Sequence, residues 1–107
     1  MDVAIVEKEA ELFNKMAELL KVMANPNRIA IVRLLSQKGS LCVSQICRDL
    51  NMKQATVSIY LSRMSRAGIL KCQRQGKEVF YFVCEEGILK ILQCLSSCVN
   101  CVDRGGD

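Results

Sequence analysis

Histidine and tryptophan are absent from the 107 residues, and proline occurs once. Without histidine there is no imidazole base, no nitrogen ligand for zinc and no side chain that ordinarily changes charge near neutral pH. A soft-metal site must therefore be built from thiolates. No residue stands out as a general base, so the chain does not read as an enzyme. A single proline, no low-complexity run and a half-apolar composition argue against disorder outside the ends. No run reaches 18 consecutive apolar residues, so no membrane association is expected. The opening Met1-Asp2-Val3-Ala4-Ile5-Val6-Glu7 lacks the basic flank and cleavage site of a signal peptide. The expectation is a cytoplasmic protein whose seven cysteines stay mostly reduced.

What is present is a patterned charge. Residues 1–20 hold five acids and two bases, residues 21–81 eleven bases and two acids, and residues 82–107 two bases and four acids. A basic middle between acidic flanks points to nucleic acid as a partner. The length suits one domain spanning 1–107, and so small a core favours a dimer that extends it.

Leu12, Phe13, Met16, Leu19, Leu20 and Met23 recur at helical spacing and predict a first helix over 9–23. Asn25-Pro26 caps and starts a second, whose Ile29, Val32, Leu34 and Leu35 face a core until Lys38-Gly39-Ser40. A third runs over Val43–Leu50. Gln45 stands three residues after Cys42, the capping-box spacing, and Leu41 and Ile46 are placed as a hydrophobic staple. Asn51 suits the left-handed turn that follows. A fourth helix over Gln54–Ala67 has Val57, Leu61 and Met64 as its buried stripe. Gln54, Ala55, Ser58, Ile59 and Ser62 form its other, acid-free face, with Lys53, Arg63 and Arg66 at the edges. Residues 43–67 thus read as a helix-turn-helix.

Two predicted strands, 69–74 and 78–83, flank the Gln75-Gly76-Lys77 turn. This hairpin, 69–83, carries Arg74 and Lys77 and is a wing suited to phosphate contact. A last helix over 87–101 is apolar nearly all round at Ile88, Leu89, Ile91, Leu92, Leu95 and Val99. It must be covered, and a partner chain is the simplest cover, with the first helix alongside. The tail from Asp103 is expected to fray. The fold class is mostly α with a small β-hairpin wing: a homodimeric winged helix-turn-helix.

The thiols form two clusters. Cys94, Cys98 and Cys101 lie on one helical face, although Cys101 is about 10 Å along the axis from Cys94 at ~1.5 Å per residue. Cys42 and Cys47 bracket the start of the third helix. There a cysteine replaces a better capping residue, which suggests that the sulfur is present for its chemistry. Buried free cysteine also serves as a small hydrophobe, so dimer packing is the alternative for the terminal cluster. Cys72 and Cys84, on or beside strands, read as structural. Met16, Met23 and Met64 read as core. Tyr60, Phe80 and Tyr81 suit packing better than base stacking.

These residues carry a resemblance. Met23-Ala24-Asn25-Pro26-Asn27-Arg28, Ile31-Val32-Arg33-Leu34-Leu35, Leu41-Cys42-Val43-Ser44-Gln45-Ile46-Cys47, Gln54-Ala55-Thr56-Val57-Ser58, Ala67-Gly68-Ile69-Leu70 and Val79-Phe80-Tyr81 appear in order. From Leu20 to Val83 the chain resembles the arsenic-repressor (ArsR/SmtB) family of winged-helix bacterial repressors. The resemblance implies a homodimer that represses an operon until an inducer binds. The arsenite-sensing branch carries Cys-Val-Cys-Asp-Leu-Cys at the third helix. Cys42 and Cys47 match its first and third cysteines, and Ser44 replaces the second. The family's zinc site of Asp and His on the last helix is excluded by the lack of histidine. Lys53 replaces the usual Ser cap of the recognition helix, and Ile59-Tyr60 replaces a more polar pair.

The expected function is repression of transcription on double-stranded operator DNA. Lys53, Gln54, Thr56, Ser58, Ile59, Ser62, Arg63, Arg66, Arg74 and Lys77 are the expected contacts. No cofactor is needed for folding. The expected inducer is As(III), Sb(III) or another soft ion, taken by Cys94, Cys98 and Cys101, with Cys42 and Cys47 as the alternative site. A thiol-redox or persulfide sensor of the same fold, and a thiol-rich metal-binding module without DNA binding, are the competing readings.

Overall fold

A computed structural model describes residues 3–84 and 86–105, with side-chain surroundings for 6–84 and 86–100. The elements run α1 (Val3–Met23), α2 (Pro26–Lys38), β1 (Leu41–Cys42), α3 (Val43–Leu50), α4 (Gln54–Arg66), β2 (Leu70–Gln75), β3 (Glu78–Val83) and α5 (Glu86–Gly105). Both outer helices are longer than their apolar periodicity predicted. A nucleated helix propagates at little cost beyond the residues that carry its apolar period. The helix thus continues past Asp103, where a frayed tail was expected.

Local chemistry sets the junctions. Asn25 Oδ1 accepts from the Asn27 and Arg28 backbone N–H groups at 2.9 and 3.2 Å, and Pro26 opens α2. Gly39, at φ 91°, ends α2 by donating its N–H to the Leu35 carbonyl. Gln45 Oε1 accepts from the Cys42 N–H at 3.0 Å, the Gln45 half of the expected capping box. Asn51 takes the left-handed turn, at φ 52° and ψ 51°.

The core gathers Ile31, Val32 and Leu35 of α2, Ile46 of α3, and Val57, Leu61 and Met64 of α4, with Leu41, Ile69, Leu70, Met23 and Ile88. Each such aliphatic side chain contributes about 1.5–3 kcal/mol relative to exposure. Met16 does not join them, contrary to its core assignment. It is about half exposed, because α1 meets the core through Leu19, Val22 and Met23 on another face.

The sheet has the antiparallel order β1-β3-β2. β2 and β3 pair from Leu70↔Val83 to Gln75↔Glu78 around a two-residue Gly76-Lys77 turn. Gly76, at φ 65°, occupies the first turn position, where two-residue hairpin loops place glycine. β1 was not foreseen. It pairs Leu41↔Tyr81 and Cys42↔Phe80, so the wing is tied to the start of α3.

Candidate nucleic-acid interface and thiol sites

In α4, Val57, Leu61 and Met64 are buried and anchor the helix, while Gln54, Ala55, Ser58, Ile59 and Ser62 are exposed. Lys53, Arg63 and Arg66 are exposed beside them, and no acid occurs in the helix. Thr56, the remaining expected contact on α4, is half-buried and so stands off the exposed face. Arg74 and Lys77 are exposed toward the end of the hairpin. None of these bases is in an ion pair among the described residues; the pair found there is Lys38–Asp49, 3.8 Å apart, between α2 and α3. The cations are therefore available to phosphates.

Sequence reasoning missed Arg28. It is 9% exposed, its Nη1 donates to the Val22 carbonyl at 2.8 Å, and its guanidinium lies over the Tyr60 ring. Its spacing was a usable signal, because Arg28 shares the buried stripe of Ile31, Val32 and Leu35. Asn27 Nδ2 donates to the Tyr60 hydroxyl at 3.5 Å. That bond is the largest influence on the phenol. With Asn25 and the charges of Arg28 and Arg63 it outweighs the opposing effect of burial and holds the Tyr60 pKa below its usual value. The start of α2 thus braces the middle of α4.

The thiols fall into three environments. Cys42 is 5% exposed, in β1 and at the start of α3, with Sγ 3.2 Å from Ser44 Oγ. Cys47, five residues on, is half-buried against the core. Cys84 is structural: its N–H donates to the Ile69 carbonyl and its thiol to the Gly68 carbonyl, both at 3.0 Å. Cys72, expected to be structural as well, is exposed on β2. Cys94 and Cys98 are exposed one turn apart on α5. Cys101 is in the same helix, but its side chain lies outside the described residues. Among the described residues no three Cys, Asp or Glu side chains come together as a metal-holding group.

α1 and α5 present an uncovered apolar surface. Leu12, Phe13, Met16 and Leu20 of α1, and Ile91, Leu95 and Val99 of α5, are all 43–58% exposed. A groove of about 430 Å³ between the helices is lined by Met16, Leu20, Ile91 and Leu95 among others. Among the described residues, no helix is long and apolar enough to cross a membrane.

Comparison with known proteins places this architecture. The model of the arsR family of bacterial regulatory proteins matches residues 25–71, from the α2 cap into β2. The transcriptional repressor PagR of Bacillus anthracis is 46% identical over 79 residues, covering 71% of this chain and 79% of PagR. Its crystal structure superposes with a TM-score of 0.69, covering 78% of this chain and 98% of that one. The arsenical resistance operon repressor of Escherichia coli is 39% identical over 64 residues, covering 60% of this chain and 55% of the repressor. The homodimeric winged helix-turn-helix DNA-binding domain of Mb0332 from Mycobacterium bovis is 25% identical, covers 86% of this chain and 84% of that domain, and superposes with a TM-score of 0.76. With helix-turn-helix, wing and relatives in agreement, the chain belongs to the arsR family of bacterial regulatory proteins.

Proposed function

We propose that the chain is a cytoplasmic homodimeric repressor that holds double-stranded operator DNA and releases it when its thiols take a thiophilic ion, As(III) or Sb(III) before other soft metals. The observation that carries the DNA reading is the exposed, acid-free face of α4 flanked by Lys53, Arg63 and Arg66. Gln54, Ser58, Ile59 and Ser62, with Thr56 at the margin, meet base edges, while Arg74 and Lys77 meet backbone phosphates. The bare apolar faces of α1 and α5 support dimerisation, as does the homodimeric Mb0332 domain.

Two features support thiol sensing. Cys94 and Cys98 are accessible and one turn apart, a spacing that chelates one soft ion, and Cys101 or a thiol of a second copy supplies a third donor. The resemblance to the arsenical resistance operon repressor favours a metalloid. An ion that prefers the DNA-incompetent state by about 1–3 kcal/mol gives typical allosteric coupling. Cys42 and Cys47 form the alternative site, from which a bound ion would distort the start of α3 directly. The redox or persulfide reading remains because exposed thiols are open to oxidation.

The test is anaerobic titration of the reduced protein, bound to the duplex upstream of its own gene, with arsenite, cadmium and a persulfide donor in parallel. Arsenite is expected to release wild type, and Cys94→Ser/Cys98→Ser is expected to stay bound, while Cys42→Ser/Cys47→Ser still responds. Full release of the first double mutant by arsenite would refute the terminal-cluster assignment. Release of wild type by persulfide alone would establish the redox reading in its place. Each phosphate contact removed, as in Arg74→Ala or Lys77→Ala, is expected to lower the log–log salt slope by roughly one.

A further inference from the structure

Ile59 is the anomaly of the α4 surface. It is 56% exposed, more than half of a large aliphatic side chain held in water, on a face otherwise made of Gln54, Ala55, Ser58 and Ser62. At ~100° per residue it stands roughly opposite the buried stripe of Val57, Leu61 and Met64, so it contributes nothing to the fold of its own chain. Ala55 and Ser62, its neighbours at i−4 and i+3, are shorter, and Arg63 at i+4 is a longer, charged neighbour at the edge of the face. Ile59 is therefore the largest apolar side chain that this face turns toward whatever the helix meets.

The surrounding charge specifies that surface. Lys53, Arg63 and Arg66 are positive, α4 has no acid, and Arg74 and Lys77 extend the same sign along the wing. A polyanion is the complementary partner. The floor of a DNA major groove offers one fully apolar group, the C5 methyl of thymine. A cytosine or adenine at the same place would present an amino donor, which an aliphatic side chain desolvates without a hydrogen bond in return.

We infer that Ile59 is a specificity-determining residue that selects thymine, by its methyl group, at one position of each operator half-site. This rests on the repressor reading above and adds to it the chemistry of one base contact.

Removing only the methyl group tests it. Sites are first selected by wild-type protein from a random duplex library. Each thymine of a selected duplex is then replaced in turn by deoxyuridine, which keeps base pairing. At one symmetry-related pair of thymines, the replacement is expected to weaken binding about fourfold per half-site, the value of one buried methyl-sized group. With Ile59→Ala, thymine and deoxyuridine at that pair are expected to bind within about twofold of each other, while other positions respond as in wild type. Ile59→Gln, which supplies an amide instead, is expected to shift the preferred base there. Tight binding to selected duplexes with no methyl effect that depends on Ile59 would overturn the inference and leave the repressor reading standing. Failure of wild type to enrich any duplex would overturn both. The absence of any thymine-to-deoxyuridine effect in wild type overturns the inference without a variant, and Ile59→Ala is expected to fold because Ile59 is exposed and outside the core.

Discussion

The guanidinium of Arg28 lies 5.2 Å from the centroid of the Tyr60 ring, joining the first turn of α2 to the middle of α4. α4 is thus held on one side by its apolar stripe and on another by a cation over an aromatic face. The second hold lies next to the exposed face, since Tyr60 is adjacent in sequence to Ile59.

Arg28→Met is expected to destabilise the protein by about 1–3 kcal/mol, through loss of the charge-assisted bond to the Val22 carbonyl and of the cation–π contact. Arg28→Lys should recover less than half of that, because an ammonium lacks the planar fork and stacks poorly. Tyr60→Phe keeps the ring under the guanidinium and is expected to stay close to wild type, whereas Tyr60→Leu is not. Urea unfolding at one fixed protein concentration measures all four. Equal stability of Arg28→Met and wild type would refute the bracing role.

The two tyrosines should titrate apart. Asn27 and its neighbours favour the Tyr60 phenolate, so Tyr60 ionises below its usual value near 10. Burial, and then the Cys72 thiolate opposite it, disfavour the Tyr81 phenolate, so Tyr81 ionises above that value. The signs on stability are opposite. Tyr60 releases its proton earlier when folded, so its contribution grows as pH rises from its folded pKa toward 10. Tyr81 releases its proton earlier when unfolded, so stability falls as pH rises past 10. In phenolate absorbance, Tyr60→Phe is expected to remove the part that titrates at lower pH and Tyr81→Phe the part that titrates at higher pH.

Asn51 occupies the left-handed region between α3 and α4 at φ 52°. Asn51→Ala is expected to cost about 1–2 kcal/mol, because a Cβ is strained there without an amide to compensate. Asn51→Gly should be within roughly half a kcal/mol of wild type, as glycine enters that region freely but loses more entropy on folding. A reversed order in thermal or urea unfolding would show that the turn does not depend on backbone preference.

Leu20→Glu/Leu95→Glu places charge on the apolar faces of α1 and α5. If a second copy covers these faces, sedimentation should show the self-association constant weakened by a hundredfold or more, since each leucine contributes about 1.5–3 kcal/mol of burial. The monomer should remain folded, because neither leucine is in its core. A wild-type chain that sediments as a monomer at micromolar concentration would remove the dimer altogether.

The elements that read clearly in the sequence are those whose ends carry chemistry. α3 spans Val43–Leu50 as predicted, because Gln45 reaches back to its start and Asn51 turns its end. The wing was legible from the β-branched and aromatic run Val79-Phe80-Tyr81-Phe82-Val83 and from the turn at Gly76. β1 was not: two residues carry no period, and their pairing with Tyr81 and Phe80 is a contact distant in sequence. Periodicity also identified an apolar stripe on α1 without telling whether its own chain or another would cover it, which is why Met16 was misplaced. Arg28 was passed over because arginine near a helix start reads as solvated charge, although its register placed it inward. For the thiols, spacing gave a shared helical face for Cys94 and Cys98 and a turn of about 140° between Cys42 and Cys47. It could not give the burial that separates the two pairs.

Ile88 is the sole described side chain of α5 in the buried core, and Cys94 and Cys98 stand beyond it on the exposed part of the helix. Substitution there leaves the packing of α2, α3 and α4 untouched. On the proposed sensing role of these thiols, inheritance can rewrite the ligand chemistry of this helix without disturbing α4. A lineage of such repressors would then exchange one inducer for another by a few point changes, with its operators kept intact.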